Sequence, residues 1–200
     1  MMGMSQIPAA KTPLSAPQAL SVLADALGAD RRALPMVAAQ SAVETNHWTA
    51  MWHWNFGNVS TADPATDYQI LPSRPPNPIH FKVYSSPEQG ARDYVAWLRK
   101  RGVLDYALRN DLAGYGAHLK SGGYLGFIGR TAPNGHVVSD KDYDDYMRGI
   151  AGLVHSFENM LPEPLRDVSV YARQKSLSAA KKAWPALALL GVALLVGLRK

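Results

Sequence analysis

Five prolines lie between residues 64 and 78, and this stretch differs from the rest of the chain. Proline lacks a backbone N–H group and restricts the residue before it, so this density of prolines excludes a long helix or a central strand. Outside this stretch, apolar residues recur at helical spacing. We therefore expect a mainly α-helical body with a small irregular lobe at residues 52–81, whose only strands are short and lie near 68–71 and 80–84.

The helical body is predicted from apolar periodicity and from residues typical of helix ends. Ser86 is the expected N-cap of the helix that begins at Pro87, and Gly28 and Gly102 are expected to end the first and third helices. With 47% apolar residues, the chain can enclose one core. The expected helices cover residues 17–27, 35–46, 87–101, 111–120 and 140–160, and the domain they form covers residues 17–162.

The two ends of the chain differ from this domain. Residues 1–16 are polar and rich in proline, alanine and serine, so we expect a flexible arm without the apolar core of a secretory signal peptide. Residues 163–182 are polar and basic and predict a stalk. Residues 183–198 contain no charge, are slightly short for a membrane span and have basic residues at both flanks. They predict a C-terminal transmembrane helix, with a buried hydrophobic tail as the alternative.

The charge of the chain narrows the classes of partner. A formal charge of +5 and a pI near 9.5 favour an anionic partner such as nucleic acid, acidic lipid or an acidic cell-wall polymer, although the same charge also aids solubility. The basic residues are scattered and do not alternate with aromatic ones, so no nucleic acid is expected. The chain has no cysteine, which excludes disulfides and thiolate metal sites.

Glu44 is the strongest candidate for chemistry. It lies near the end of a predicted helix of small residues and shares one helix stripe with Ser41 and Trp48, so it is expected beside packed groups. An acid in apolar surroundings keeps its proton nearer to neutral pH, as a general acid requires. The loop at residues 52–58 is rich in aromatic and amide side chains, which are suited to holding a sugar. The pattern predicts a sugar-cleaving site, and the alternative is a structural carboxylate.

Four segments in order resemble the lysozyme-like glucosaminidase family of peptidoglycan hydrolases, close to its flagellar and phage-borne muramidase-type domains. Residues 39–45 are similar to the family's A-Q-x-A-x-E-S/T segment, and residues 55–58 to its N-x-F-G turn. Residues 81–90 match the F-R-x-Y-x-S segment. Gly123 and Tyr124, followed by residues 140–143 and Met147, are similar to the closing motif, except that residues 125–139 form a longer insertion.

The resemblance implies a mostly helical, lysozyme-like α+β fold with a cleft beside the small lobe. It also implies that Glu44 is the general acid for a β-1,4 link between N-acetylglucosamine and N-acetylmuramic acid. Tyr143 matches the family's tyrosine near that acid, with a core position as the alternative. A second catalytic group must act at the anomeric centre, and the candidates are Asp63 and Asp67, either of which could hold a water; the alternative for both is that they cap turns. A third possibility needs no second carboxylate, because the substrate's own N-acetyl oxygen attacks, in a hydrolase or a lytic transglycosylase.

Several further residues are candidates for binding the glycan. Asn58 and Tyr124 are expected to contact sugar, and about one of Trp48, Trp52 and Trp54 is expected to do so; the alternative for each is a place in the core or in loop structure. No P-loop or dinucleotide fingerprint occurs. His47 and His53 lack the spacing of a zinc pair, so no metal or other cofactor is expected.

The sequence thus predicts a membrane-anchored peptidoglycan hydrolase, carried by a phage and acting in infection or lysis, in the virion membrane or the bacterial cell envelope. Two alternatives remain open at this point. One is a non-catalytic glycan-binding or virion structural protein that keeps the fold without the chemistry. The other is a protein whose hydrophobic tail forms a pore or remodels a membrane.

Overall fold

A computed structural model describes residues 6–61, 67–70, 80–131 and 135–160, and this part of the chain is mostly helical with one small sheet. The expected helical body with a small lobe is confirmed for these residues. The elements, in chain order, are α1 (Ala16–Leu27), a 3-10 helix (Gly28–Ala33), α2 (Leu34–Glu44), β1 (Tyr68–Ile70), β2 (His80–Lys82), α3 (Pro87–Lys100), α4 (Leu104–Leu108), α5 (Leu112–Ser121) and α6 (Asp140–Met160).

Helix α2 lies at the centre of the fold. Every residue from Leu34 to Ala42 is buried, so this helix has no solvent-facing side over that length. It packs against α6 and α1, while α1 also packs against α3. The small side chains of Ala38, Ala39, Ser41 and Ala42 permit these close approaches, because packed interiors leave little empty volume. The result is a rigid support for the residue at the end of α2, Glu44.

The chain turns sharply after α2, two residues earlier than the sequence predicts. Asn46, His47 and Trp48 all have positive φ angles, which non-glycine residues rarely adopt. Hydrogen bonds stabilise this turn: the His47 N–H donates to Ala42 O at 2.7 Å and the Trp48 N–H to Thr45 Oγ1 at 3.1 Å. The turn directs the Trp48 indole into the core, where it is fully buried.

The small lobe contains an antiparallel pair of strands. β1 and β2 pair in the register Tyr68–Lys82, Gln69–Phe81 and Ile70–His80. The buried side chain of Asn55 joins this sheet to the preceding turn, because it accepts from the Val59 N–H at 2.8 Å and donates to the Lys82 carbonyl at 3.1 Å. The lobe and its strands were expected from the sequence, and Asn55 acts in it as a structural residue.

Residues 6–15, expected to form part of a flexible arm, instead lie along the lobe and the turn after α2. The Ile7 N–H donates to Tyr68 O at 2.8 Å, and the Thr12 N–H donates to Met51 O at 2.9 Å. Ser15 then caps α1, where its N–H and hydroxyl both donate to the Gln18 side-chain oxygen. Backbone pairing with distant residues explains this order, which local composition does not reveal.

The predicted stalk at residues 163–182 and the predicted transmembrane helix at residues 183–198 lie outside the described residues. Within the part of the chain that the structure describes, no helix combines the length and the apolar character needed to cross a membrane.

Candidate active site

Glu44 opens onto a cleft of about 720 Å³. One side of the cleft is formed by the lobe through Asn58, Val59, Ser60 and Phe81. The end of α3 contributes Trp97 and Arg101, and the loop between α5 and α6 contributes most of the remaining residues. The ionisable side chains that line it are those of Glu44, Tyr124, Arg101, Arg130, His136 and Asp142.

Three side chains donate hydrogen bonds to the Glu44 carboxyl group. Tyr124 and Tyr146 donate their hydroxyls to Oε1, at 2.9 and 2.7 Å. Asn58 donates from Nδ2 to Oε2 at 3.2 Å and to the Glu44 backbone carbonyl at 2.8 Å. These donors come from three separate parts of the chain, so the tertiary fold holds the carboxyl group in one orientation.

The turn that carries Asn58 is attached directly to α2. The Ser41 hydroxyl donates to the Phe56 carbonyl at 2.7 Å and accepts from the Trp48 indole N–H at 2.9 Å. A Cβ atom at Gly57 would overlap the Tyr94 ring, so only glycine fits at this close approach. The N-F-G-N segment is thus the support that brings the Asn58 amide to Glu44.

The two tyrosines at Glu44 keep their protons over the usable pH range. Burial, followed by the charge of Glu44, raises the pKa of Tyr124 well above its ordinary value. Burial, followed by the charges of Tyr124 and Glu44, does the same to the pKa of Tyr146. Both hydroxyls therefore remain donors to the carboxyl group at any pH at which the protein would act.

A buried polar pair lies behind this site. Gln40, one helical turn before Glu44, is fully buried, and its side-chain oxygen accepts a hydrogen bond from the Tyr115 hydroxyl. The Gln40 Nε2 atom has no hydrogen-bond partner of good geometry within the described residues, yet the Gln40 amide lowers the pKa of Tyr124 against the larger effects of burial and Glu44.

No protein family matches the chain, and no curated protein matches it. A solved structure resembles it: the glycoside hydrolase domain of FlgJ from Salmonella typhimurium, with 17% sequence identity and a TM-score of 0.48 over 84% of this chain and 99% of that chain.

Tyr143 has a different place from the one that the resemblance implies. Its side chain is buried, and its hydroxyl donates to the Gly126 carbonyl at 2.9 Å and accepts from the Leu125 N–H at 3.0 Å. It therefore holds the loop that forms one side of the cleft. The α6 tyrosine whose hydroxyl contacts the acid is Tyr146, one turn later, because the face of α6 that carries Tyr146 points toward the end of α2.

The tryptophans expected to touch sugar do not line the cleft in the described structure. Trp48 is fully buried and packs against Phe157, with ring centroids 5.6 Å apart, so its expected contact with substrate is wrong. Trp54 is half-buried in the turn near the start of the lobe, where its backbone N–H donates to Thr12 Oγ1. Trp52 lies under the Lys11 ammonium group, 5.7 Å from the ring centroid.

Asp63 and Asp67 are the two aspartates proposed as the second catalytic group. Asp63 lies outside the described residues. Asp67 is exposed, directly before β1, and is not among the described residues that line the cleft. The cleft does hold Asp142, whose carboxylate accepts from the Ser139 N–H and hydroxyl at 2.7 Å. These bonds and one to His136 lower the pKa of Asp142 to about 2.

Sequence reasoning missed two residues of the site, Tyr146 and Trp97. Tyr146 belongs to the apolar stripe of α6, and nothing in that periodicity separates it from a core tyrosine. Trp97 follows Tyr94 by three positions on α3 and lines the cleft, with its ring 5.7 Å from that of Tyr124. Within the described residues, no three His, Asp or Glu side chains gather as metal ligands would.

Proposed function

We propose that this protein is a glycosidase that cuts the β-1,4 glycan strand of peptidoglycan between N-acetylglucosamine and N-acetylmuramic acid, with Glu44 as the general acid. The observation that carries the proposal is a single one. The Glu44 carboxyl group faces an open cleft and is oriented by Tyr124, Tyr146 and Asn58. The four sequence segments that resemble the family's motifs support the same chemistry.

The hydrogen bonds indicate which oxygen of Glu44 carries the transferable proton. A carboxyl oxygen has two lone pairs in its plane, and two hydroxyl donors occupy those of Oε1. Oε2 accepts only the longer bond from Asn58 among the described residues. The proton of the acid form therefore resides on Oε2, which is the oxygen that we assign to the glycosidic bond.

In the proposed step the Oε2 proton moves to the glycosidic oxygen while the bond from that oxygen to the anomeric carbon breaks. The bonding electron pair leaves with the oxygen, and Glu44 becomes a carboxylate. Water then forms a bond to the anomeric carbon and gives its proton to a carboxylate base, or the N-acetyl oxygen of the same sugar forms that bond without a base. Asp63 remains our proposed partner for an attacking water, and Asp63→Asn with product analysis separates this route from attack by the N-acetyl group.

The test of the acid is Glu44→Gln, which keeps the shape of the side chain and removes the proton. We expect the release of new reducing ends or anhydro sugars from purified sacculi to fall by about 10²–10⁴-fold, with the melting temperature unchanged. Glu88→Gln, at an exposed position in the first turn of α3, is the control and should retain full activity. Full activity of the Glu44→Gln protein would contradict the proposal. A wild-type protein that co-sediments with sacculi and releases no sugar would establish the non-catalytic alternative.

We also propose a cellular setting. The uncharged segment at residues 183–198, with basic residues on both sides, anchors the enzyme in a virion membrane or in the cell envelope, where it serves phage infection or lysis. This proposal depends on sequence alone. Fractionation of membranes from cells that make the protein tests the anchor.

A further inference from the structure

Two arginines line the Glu44 cleft. Arg101 follows the end of α3, and Arg130 lies in the loop between α5 and α6. Within the described residues neither forms an ion pair, whereas three other arginines do: Arg31 with Asp25, Arg99 with Asp30 and Arg148 with Asp145. The two guanidinium groups in the cleft are therefore available to an anionic ligand.

Arg101 is held in position from two directions. Its backbone carbonyl contacts the His118 Nε2 atom at 2.6 Å, and its guanidinium group lies over the Trp97 ring, 4.5 Å from the centroid. This cation–π contact covers one face of Trp97, so that face supports the arginine and is not free to stack on a sugar. The Trp97 ring in turn meets the edge of Tyr124, the donor to Glu44. Arg101 is thus linked to the acid through two successive ring contacts.

Arg130 is fixed through its backbone. Its N–H donates to Phe127 O at 2.9 Å, and its carbonyl accepts from the Val138 N–H at 3.0 Å. Asp142, the other carboxylate on this side of the cleft, accepts hydrogen bonds from Ser139 and contacts His136, and within the described residues it forms no ion pair with Arg130. The cleft therefore keeps a cationic side next to its acid.

We propose that Arg101 and Arg130 form an anion subsite that binds carboxylates on the N-acetylmuramic acid unit, either the lactyl group or the attached peptide. This inference depends on the proposed function for the identity of the glycan. A planar guanidinium group pairs with a carboxylate through two parallel hydrogen bonds, which makes arginine suited to this recognition. The subsite would select strands that carry carboxylates over neutral N-acetylglucosamine chains, and it would set which side of the cleft the muramic acid unit occupies.

The experiment measures binding in a full-length protein that does not cut its ligand. Titration calorimetry with the Glu44→Gln protein compares muropeptide tetrasaccharides with the same compounds after conversion of their carboxylates to methyl amides. We expect the charged ligand to bind about five- to twentyfold more tightly at low salt. Arg101→Gln and Arg130→Gln should each reduce that ratio, and the pair together should abolish it. Arg99→Gln, with the same change of charge two positions before Arg101 but with an ion pair to Asp30 and no place in the cleft lining, is the matched control.

Each outcome has one meaning. A ratio that falls in the two cleft variants and persists in Arg99→Gln supports the subsite. Equal binding of the two ligands overturns it, and so does an equal loss in Arg99→Gln, which would show that overall charge is responsible. The peptide is attached through the lactyl carboxyl, so the muropeptides report on peptide carboxylates. If peptide-free strands with a free lactyl carboxylate show the same ratio against their methyl amides, the subsite accepts either carboxylate; if they do not, it binds the peptide carboxylate alone. Failure of Glu44→Gln to stop cleavage refutes the proposed acid, and the subsite is then tested by the same comparison with thioglycosidic ligands that resist cleavage.

Discussion

The carboxyl group of Glu44 is held asymmetrically, with both hydroxyl donors on one oxygen. Helix α6 carries two tyrosines, three positions apart in sequence, and only one of them is a donor to this carboxyl group. Tyr146 donates directly to Oε1 at 2.7 Å, whereas Tyr143 binds the backbone of the loop beside the cleft. A phenylalanine at either position removes one hydroxyl, but the two losses occur at different places in the site.

We expect Tyr146→Phe to lower kcat about tenfold or more with little change in KM, because its bond to Glu44 becomes charge-assisted only as the proton leaves, and such a bond contributes about 1.5–3 kcal/mol. Tyr143→Phe should act chiefly on KM, since the loop that it anchors lines the cleft. Steady-state rates on soluble peptidoglycan fragments measure both. If Tyr143→Phe alone reduced kcat, the assignment of Tyr146 as the residue beside the acid would be wrong.

At the scale of elements, α3 approaches the lobe closely through Gly90. A Cβ atom at this position would overlap the Trp54 carbonyl oxygen, whereas a Cβ atom at Gly152 on α6 would meet nothing within 4 Å. Alanine normally stabilises a helix relative to glycine. The two positions therefore separate the effect of helix propensity from the effect of packing.

Gly90→Ala should destabilise the protein by about 1–3 kcal/mol, since the backbone of α3 or of the Trp54 turn must move. Gly152→Ala should stabilise it by up to about 1 kcal/mol. Urea unfolding followed by circular dichroism measures both changes. Stabilisation by both substitutions would mean that α3 does not pack against this turn as described.

The start of α6 depends on a carboxylate whose charge the fold favours. Hydrogen bonds from Ser139 and His136 lower the pKa of Asp142 to about 2, below the value of about 4 for an unfolded chain. Since the folded pKa is depressed, this stabilising contribution is complete above pH 4 and is lost as the pH falls from about 4 to about 2.

Asp142→Asn should therefore be less stable than the wild type at pH 6 and approach it in stability near pH 2. Asp144→Asn, which removes a charge from an exposed position two residues later on the same helix, is the control. Thermal melts across this pH range provide the measurement. A constant difference between wild type and Asp142→Asn down to pH 2 would exclude the proposed linkage.

For the whole molecule, the residues of the described site all lie between residues 40 and 146, far in sequence from the predicted anchor. Deletion of residues 183–200 should leave digestion of isolated sacculi unchanged and move the protein from the membrane fraction to the soluble one. Loss of digestion in the deleted protein would favour the alternative in which the hydrophobic tail carries the activity.

The order of helices and the short strands followed from local patterns, since helix periodicity, the Ser86 cap and the prolines of the lobe each act within a few residues. Two features of the described structure, helix α4 and the turn at residues 46–48, were not predicted from these patterns. The helix α4 spans five residues, too few to show a full apolar period. The turn at residues 46–48 depends on hydrogen bonds to α2 and on burial of Trp48.

Glu44 and Asn58 could be selected as site residues from sequence because short motifs carry them. Tyr124 was also selected from its motif, but the hydrogen bonds from Tyr124 and Tyr146 to Glu44 could not be predicted, since these residues are 80 and 102 positions away along the chain. A tyrosine in an apolar stripe has the same local pattern whether its hydroxyl reaches an acid or a backbone carbonyl, as Tyr143 and Tyr146 demonstrate. Local physics therefore determines which segments become helices and which residue can be the acid, whereas long-range packing alone decides which side chains orient that acid and which arginines share its cleft.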